Sequence, residues 1–171
     1  MSINETALET LDAQLSTVKG ATDTLAELRL RFADAVEDIK VQNGEVTVYV
    51  KRESIVSVCR FLRDEPKLLF NLLSDLCGVD RGLEEDPRFE VVYHLFSIPN
   101  KIRLRLKVRV PEDDCQVATV SGIWATANWH ERETFDLLGI TFVNHPDLRK
   151  ILTPEDLEGY PLRKDFPLRG Y

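Results

Sequence analysis

Residues 101–110 read Lys101-Ile102-Arg103-Leu104-Arg105-Leu106-Lys107-Val108-Arg109-Val110, a strict alternation of cation and aliphatic. Successive side chains on a strand point to opposite faces, so this period of two predicts a strand with one buried and one basic face. Upstream, residues 88–97 form a second strand-like run, and Ile98-Pro99-Asn100 joins the two as a hairpin. A further hairpin is predicted nearer the N-terminus. There Asn43-Gly44 separates 36–42 from 45–51, with Val46, Val48 and Val50 alternating against Thr47 and Tyr49. An Asn-Gly pair supplies the positive φ angles of a type I′ turn.

Helical spacing fills the intervals. Leu8, Leu11, Leu15 and Val18 predict a helix over 4–18, capped by Asn4 and stopped at Gly20. Leu25, Leu28 and Phe32 predict a second over 23–33. Others are expected at 53–63, at 66–76 with Pro66 in its first turn, at 115–128 and at 130–138, ended by Gly139. An apolar piece at 140–143 is expected to add an edge strand. The fold class is therefore α+β: a sheet of four or more strands built from hairpins, with helices on one face. Residues 1–35 form an N-terminal helical segment, 36–143 the body, and 144–171 an extended proline-rich tail. That tail holds Pro146, Pro154, Pro161 and Pro167, four of the eight prolines. Its one helical turn has Thr153 as cap, Pro154 at the first position, Asp156 in the capping-box position and Gly159 as terminator.

The 171 residues suit one domain with a core of its own. A net charge of −7 argues against whole-surface binding to nucleic acid or anionic lipid, though it leaves room for one basic face. Cys59, Cys77 and Cys115 are odd in number and widely spaced, which speaks against a disulfide framework, a zinc ribbon or a self-contained iron–sulfur site. The polar start and the lack of an apolar run near ~20 residues lead us to expect a cytosolic chain that reaches a membrane only through a partner.

Motifs for chemistry are missing. There is no Gly-x-Gly, no Walker loop and no Gly-x-Ser-x-Gly elbow. His130-Glu131-Arg132-Glu133-Thr134 starts like a zincin motif, but its fifth position is Thr134 and not a second histidine. Of the remaining histidines, His94 falls inside a strand and His145 precedes Pro146. Glu131, Arg132, Glu133 and Asp136 crowd one helix, with Arg132 and Asp136 at the i,i+4 spacing that permits pairing. Two readings stand: a solvated helix face, or a clamp for a basic segment such as Arg149, Lys150, Arg163 and Lys164. The basic strand likewise has two, acidic cross-strand neighbours or an acidic docking surface, with RNA binding a weaker form of the second.

The C-terminal third carries more. Trp129-His130-Glu131-Arg132-Glu133-Thr134-Phe135-Asp136-Leu137-Leu138-Gly139-Ile140 is followed by Asn144-His145-Pro146-Asp147-Leu148-Arg149-Lys150-Ile151-Leu152. Gly159-Tyr160-Pro161-Leu162-Arg163-Lys164-Asp165-Phe166-Pro167-Leu168 comes next. In this order the three runs resemble the 30 kDa subunit family of respiratory complex I, tightly over 124–171 and more loosely over 45–123. The resemblance implies a non-catalytic subunit of the hydrophilic arm of NADH:quinone oxidoreductase, on the cytoplasmic side of a bacterial inner membrane. It implies no cofactor on this chain, the flavin and iron–sulfur clusters being held by other subunits, and a bracing role against a 49 kDa-type partner. Carried onto the matching motifs, it implies docking through Glu131, Arg132, Glu133, His145, Arg149, Leu162, Arg163, Lys164, Asp165 and Phe166. A related membrane-bound hydrogenase or cyanobacterial–chloroplast complex is the neighbouring expectation. A free-standing enzyme using His130 and Glu131 is the expectation from another class.

Overall fold

The computed structural model describes residues 13 and 15–167. The alternating strand forms as expected: β5 (Ile102–Val110) buries Leu104, Leu106, Val108 and Val110. It pairs antiparallel with β4 (Phe89–Ser97) along its full length, setting Tyr93 opposite Leu106 and Leu95 opposite Leu104. β1 (Val36–Gln42) and β2 (Glu45–Val50) make the other hairpin, and its turn residues Asn43 and Gly44 have φ of 53° and 75°. β2 then lies parallel to β5, with Val48 opposite Leu106. With β3 (Leu72–Asp80) on the outer side of β4, the sheet order is β1-β2-β5-β4-β3.

Two helices cover the apolar face. α1 (Ala21–Phe32) contributes Leu25 and Leu28, and α2 (Ile55–Asp64) contributes Ile55, Val58, Cys59 and Leu62. Of the helix read over 4–18, residues 4–12 and 14 lie outside the described residues, while Ala13, Leu15 and Ser16 are helical. The opposite face of the sheet settles its charges within the chain. Arg105 meets Glu45, Lys107 Nζ lies 2.8 Å from Glu90, and Arg109 lies 3.3 Å from Glu37. Lys40, Lys107 and Arg109 also gather over the Tyr49 ring, at 5.0, 5.7 and 4.5 Å. Acidic cross-strand neighbours are thus the observed solution.

Two expected helices are absent. Residues 66–76 do not form one: after a turn in which Leu69 takes φ 47°, the chain enters β3 (Leu72–Asp80), paired with β4. The register slips between Leu73 and Asp75, inserting Ser74 as a bulge. One extra residue turns the strand period of two into a spacing of three, so Leu73 and Leu76 both point inward. That spacing is indistinguishable from a helical one in sequence. Residues 115–128 are not a helix either. β6 (Gln116–Ala118) is followed by hydrogen-bonded turns, and α3 begins only at Ala127, running to Leu138. Tertiary contacts override propensity here: Trp124 Nε1 donates to Phe70 O at 3.1 Å and Thr119 N to Val143 O at 3.0 Å. The expected edge strand β7 (Thr141–Val143) forms, but it pairs in parallel with β6 in a separate two-stranded sheet.

α3 packs on β3 at Gly78. A Cβ there would come within 2.5 Å of Leu138 Cδ1 and 2.8 Å of Thr134 Cγ2. We expect Gly78→Ala to cost about 1–3 kcal/mol through overpacking, read as a lower midpoint in urea with an unchanged slope. An unaltered midpoint would mean that the helix–strand contact is loose.

Candidate functional site

α3 carries Trp129-His130-Glu131-Arg132-Glu133-Thr134-Phe135-Asp136, and four of its charged side chains divide sharply. Glu131, Arg132 and Asp136 are buried, and Glu133 is exposed. A buried charge is tolerated only when donors or acceptors replace its water. Asp136 obtains them from the tail. Its Oδ2 accepts the amides of Ile151, Leu152 and Thr153 at 2.9, 2.7 and 3.0 Å, and its Oδ1 accepts the Thr153 hydroxyl. Burial alone would raise its pKa, but these bonds outweigh burial and hold the carboxyl below its ordinary range. Arg132 donates Nε to Arg149 O at 3.2 Å and stacks over the Trp129 ring. The expected Arg132–Asp136 pair does not form, because each group is engaged by tail backbone. Thr153 does not cap a helix: it serves Asp136, and residues 154–157 make a single turn closed by Leu157 N to Pro154 O at 3.2 Å.

Glu131 faces inward. Its Oε1 accepts the Val120 amide at 2.7 Å, its Oε2 accepts the Thr119 hydroxyl, and Oε2 lies 3.8 Å from His145 Nε2. His145 donates Nε2–H to Asn128 O at 3.1 Å and accepts the Asp147 amide on Nδ1 at 3.0 Å, which defines one neutral tautomer. Burial pushes the Glu131 carboxyl up to about 7, against which the Thr119 and Val120 bonds act only in part. His130 accepts the Leu76 amide on Nδ1 at 3.1 Å, beside Asp75, and so occupies an outward N–H of the edge strand β3.

The tail meets the body again farther along. Leu162 N donates to Leu137 O at 3.0 Å and Arg163 Nε to Leu138 O at 2.7 Å, relieving carbonyls at the end of α3. Arg163 stacks over Phe89 and Tyr160 at 4.9 and 4.6 Å. Gly139, at φ 74°, sits under the Tyr160 ring, where a Cβ would come within 2.5 Å. Beyond it, Arg88 is a buried hub: it reaches Asp80 at 2.7 Å, Glu112 at 2.6 Å and Asp165 at 2.7 Å. Asp80 also accepts the amides of Lys164 at 2.8 Å and Gly82 at 2.9 Å. Burial would raise the Asp80 pKa, but Arg88 and the two amides overcome it and hold it at about 2.

Among the residues expected to dock, Glu131 and His145 have their side chains buried inside the chain, and Arg132 has its guanidinium on Trp129. Glu133, Arg149, Leu162, Lys164 and Asp165 are exposed, while Arg163 and Phe166 are half-buried. Sequence reasoning missed Asp80, Arg88 and Thr119. Lys164 and Asp80 are 84 positions apart, and no local pattern links them. Burial pushes the pKa of Cys59, Cys77 and Cys115 up in each case. Among the described residues, no helix is long and apolar enough to cross a membrane.

Two outcomes follow from this geometry. Asp136→Ala strips the acceptor from three amides, so we expect a loss of about 2–4 kcal/mol. Cleavage by trypsin at Arg149 or Lys150 should be at least tenfold faster, with Asp136→Asn intermediate. Equal cleavage rates would show that the tail is held elsewhere. For Glu131 the folded pKa lies above the ordinary 4.5, so the folded state binds the proton more tightly. Its contribution is fully present below pH ~4.5 and declines as pH rises through about 7, by on the order of 3 kcal/mol. Glu131→Gln should flatten the stability profile between those values, and a profile identical to the parent protein's would exclude this titration.

Residues 48–171 match the model of the family described as respiratory-chain NADH dehydrogenase, 30 Kd subunit. An NADH-quinone oxidoreductase subunit of Geotalea uraniireducens (strain Rf4) is 54% identical over 144 residues, covering 84% of this chain and 86% of that protein. The subunit of the same name from Roseiflexus sp. (strain RS-1) is also 54% identical, covering 84% and 82%. Among solved structures, a trypsin-resistant fragment (1–134) of Nqo5 superposes with a TM-score of 0.62 at 35% identity, covering 74% of this chain and 98% of the fragment. The membrane-bound sulfane sulfur reductase, an archaeal respiratory membrane complex, contains a chain with a TM-score of 0.69 at 24% identity, covering 86% of each, which speaks for the fold alone. With the match extending over β3, β4, β5, α3 and the tail that α3 holds, this chain belongs to the 30 kDa subunit family of the respiratory-chain NADH dehydrogenase.

Proposed function

We propose that this chain is a non-catalytic subunit of the hydrophilic arm of an NADH:quinone oxidoreductase, where it braces a 49 kDa-type subunit. The names of its relatives support the assignment to that complex. One observation carries the bracing role. Leu152 and Leu162 are 60% and 58% exposed, yet the backbone amide of each is bonded to α3. Apolar side chains held outward on an anchored backbone lose little entropy on docking, which suits a permanent contact. In this reading the exposed charges among the expected docking residues, Glu133, Arg149, Lys164 and Asp165, form the rim of the contact. Glu131, Asp136 and His145 act beneath that surface, keeping it in shape.

The free-standing enzyme reading loses support at its own residues. His130 has its Nδ1 occupied by a backbone amide, and Glu131 is buried against Thr119, Val120 and His145. Flavin and iron–sulfur clusters are, in this reading, carried by other subunits. In this reading the chain is peripheral, on the cytoplasmic side of the membrane, and touches the bilayer only through the complex. Leu152→Asp with Leu162→Asp should leave the melting temperature of the isolated chain within about 2 °C. The same pair should lower its recovery with the 49 kDa-type subunit at least tenfold. Undiminished recovery would move the docking surface elsewhere.

A further inference from the structure

The ring nitrogen Nδ1 of His130 is claimed twice. The Leu76 amide points at it from 3.1 Å, and Asp75 Oδ1 lies 3.0 Å from the same atom. The two contacts make opposite demands. An amide N–H needs a lone pair on Nδ1, whereas a carboxylate oxygen needs a hydrogen there. With Nδ1 bare, the ring serves Leu76 and sets a carboxylate against its lone pair. With Nδ1 protonated, it serves Asp75 and gives up the amide.

The charges around this point favour the second arrangement once a proton is available. Asp75, on β3, is exposed and makes no other hydrogen bond or ion pair among the described residues. Across the strand pair it faces His94, whose pKa is held below the ordinary histidine range by burial and by Arg105. Arg105 and Lys107 of β5 are taken by Glu45 and Glu90. On α3 itself, the exposed Glu133 follows His130 by three residues and so lies on the neighbouring turn. Asp75 and Glu133 both add to burial in raising the pKa of the Cys77 thiol of β3, against Lys107 and Arg105, so the two acids share this edge. Residues 124–129, which lead into the ring, contain no charged side chain. The hydrogen bonds of the tail to α3 fall on Asn128, Arg132, Asp136 and the end of the helix. Two carboxylates thus stand near the ring, and such neighbours stabilise an imidazolium.

We propose that His130 is a proton-operated latch between α3 and the edge strand β3. With Nδ1 bare it holds the Leu76 amide, and on taking up a proton it pairs with Asp75 and releases that amide to water. Histidine is the side chain suited to such a change between about pH 5 and 8. The latch is local. α3 stays packed on β3 through Gly78, Thr134 and Leu138, whose contacts are apolar. What loosens is the first turn of α3, whose other polar tie to β3 is the longer bond from Thr126 Oγ1 to Leu73 O at 3.3 Å. The sign is opposite to that of Glu131, whose contribution declines as pH rises. Lower pH therefore secures α3 at Thr119 and frees it at Leu76. The latch needs no partner chain.

The test follows the Leu76 amide in the isotope-labelled full chain by hydrogen exchange, expressed as a protection factor so that the intrinsic pH dependence of exchange cancels. From about pH 7.5 to about pH 5.5 that factor is expected to fall roughly tenfold or more, while the factor of the Tyr93 amide on β4 does not fall. The ring nitrogens of His130 report the same step by magnetic resonance, with Nδ1 bare at the upper pH and both nitrogens protonated at the lower. His130→Asn puts an amide oxygen that takes up no proton in place of Nδ1, and should keep Leu76 protected at both pH values. Asp75→Asn should shift the release to lower pH by about half a unit or more. A constant protection factor in the parent chain, an equal fall in His130→Asn or a hydrogen already on Nδ1 at the upper pH would overturn the latch. So would release at an unchanged pH in Asp75→Asn, or a fall shared by the Tyr93 amide, which would mean that the whole sheet opens.

Discussion

The Asp136 carboxylate, buried in the last turn of α3 and bonded to three consecutive amides of the tail, is the constraint on which the C-terminal third depends. A segment with Pro146, Pro154, Pro161 and Pro167 cannot satisfy its own amides in a helix or a ladder. The acid supplies what regular structure cannot, and the amides in turn replace the water that the acid lost. With residues 151–153 fixed, the chain reaches Gly139 with Tyr160, the end of α3 with Arg163 and Arg88 with Asp165.

Buried acids elsewhere show how the same burial gives opposite electrostatics. Asp80 keeps its charge because a guanidinium and two amides converge on it. Glu131 is met by one amide, one hydroxyl and the neutral tautomer of His145, so desolvation wins and its carboxyl titrates near neutrality. Asp80 thus ties β3 to the tail under all ordinary conditions, whereas the junction between α3 and the turn at Thr119 responds to pH.

These contacts keep Glu131, Arg132 and Asp136 of α3 directed inward and Leu152 and Leu162 of the tail directed outward. In the proposed bracing role the residues of this surface would serve by shape, and its rigidity would come from the buried side chains beneath it.

The sequence by itself determined β4, β5 and the Asn43-Gly44 hairpin, because a period of two and a turn that needs positive φ are local properties. It also determined α1, α2 and the body of α3, whose apolar stripes are covered by the sheet. The family was legible in the three motifs between Trp129 and Leu168. Only the tertiary structure decided β3, where the Ser74 bulge gives a strand the spacing of a helix. It alone decided that residues 119–126 stay as turns, since the bonds that hold them reach Phe70, Glu131 and Val143. It alone showed that the charges of α3 hold backbone and not each other. The reason is physical: a side chain announces its charge in the sequence, but the amides that neutralise it carry no residue identity.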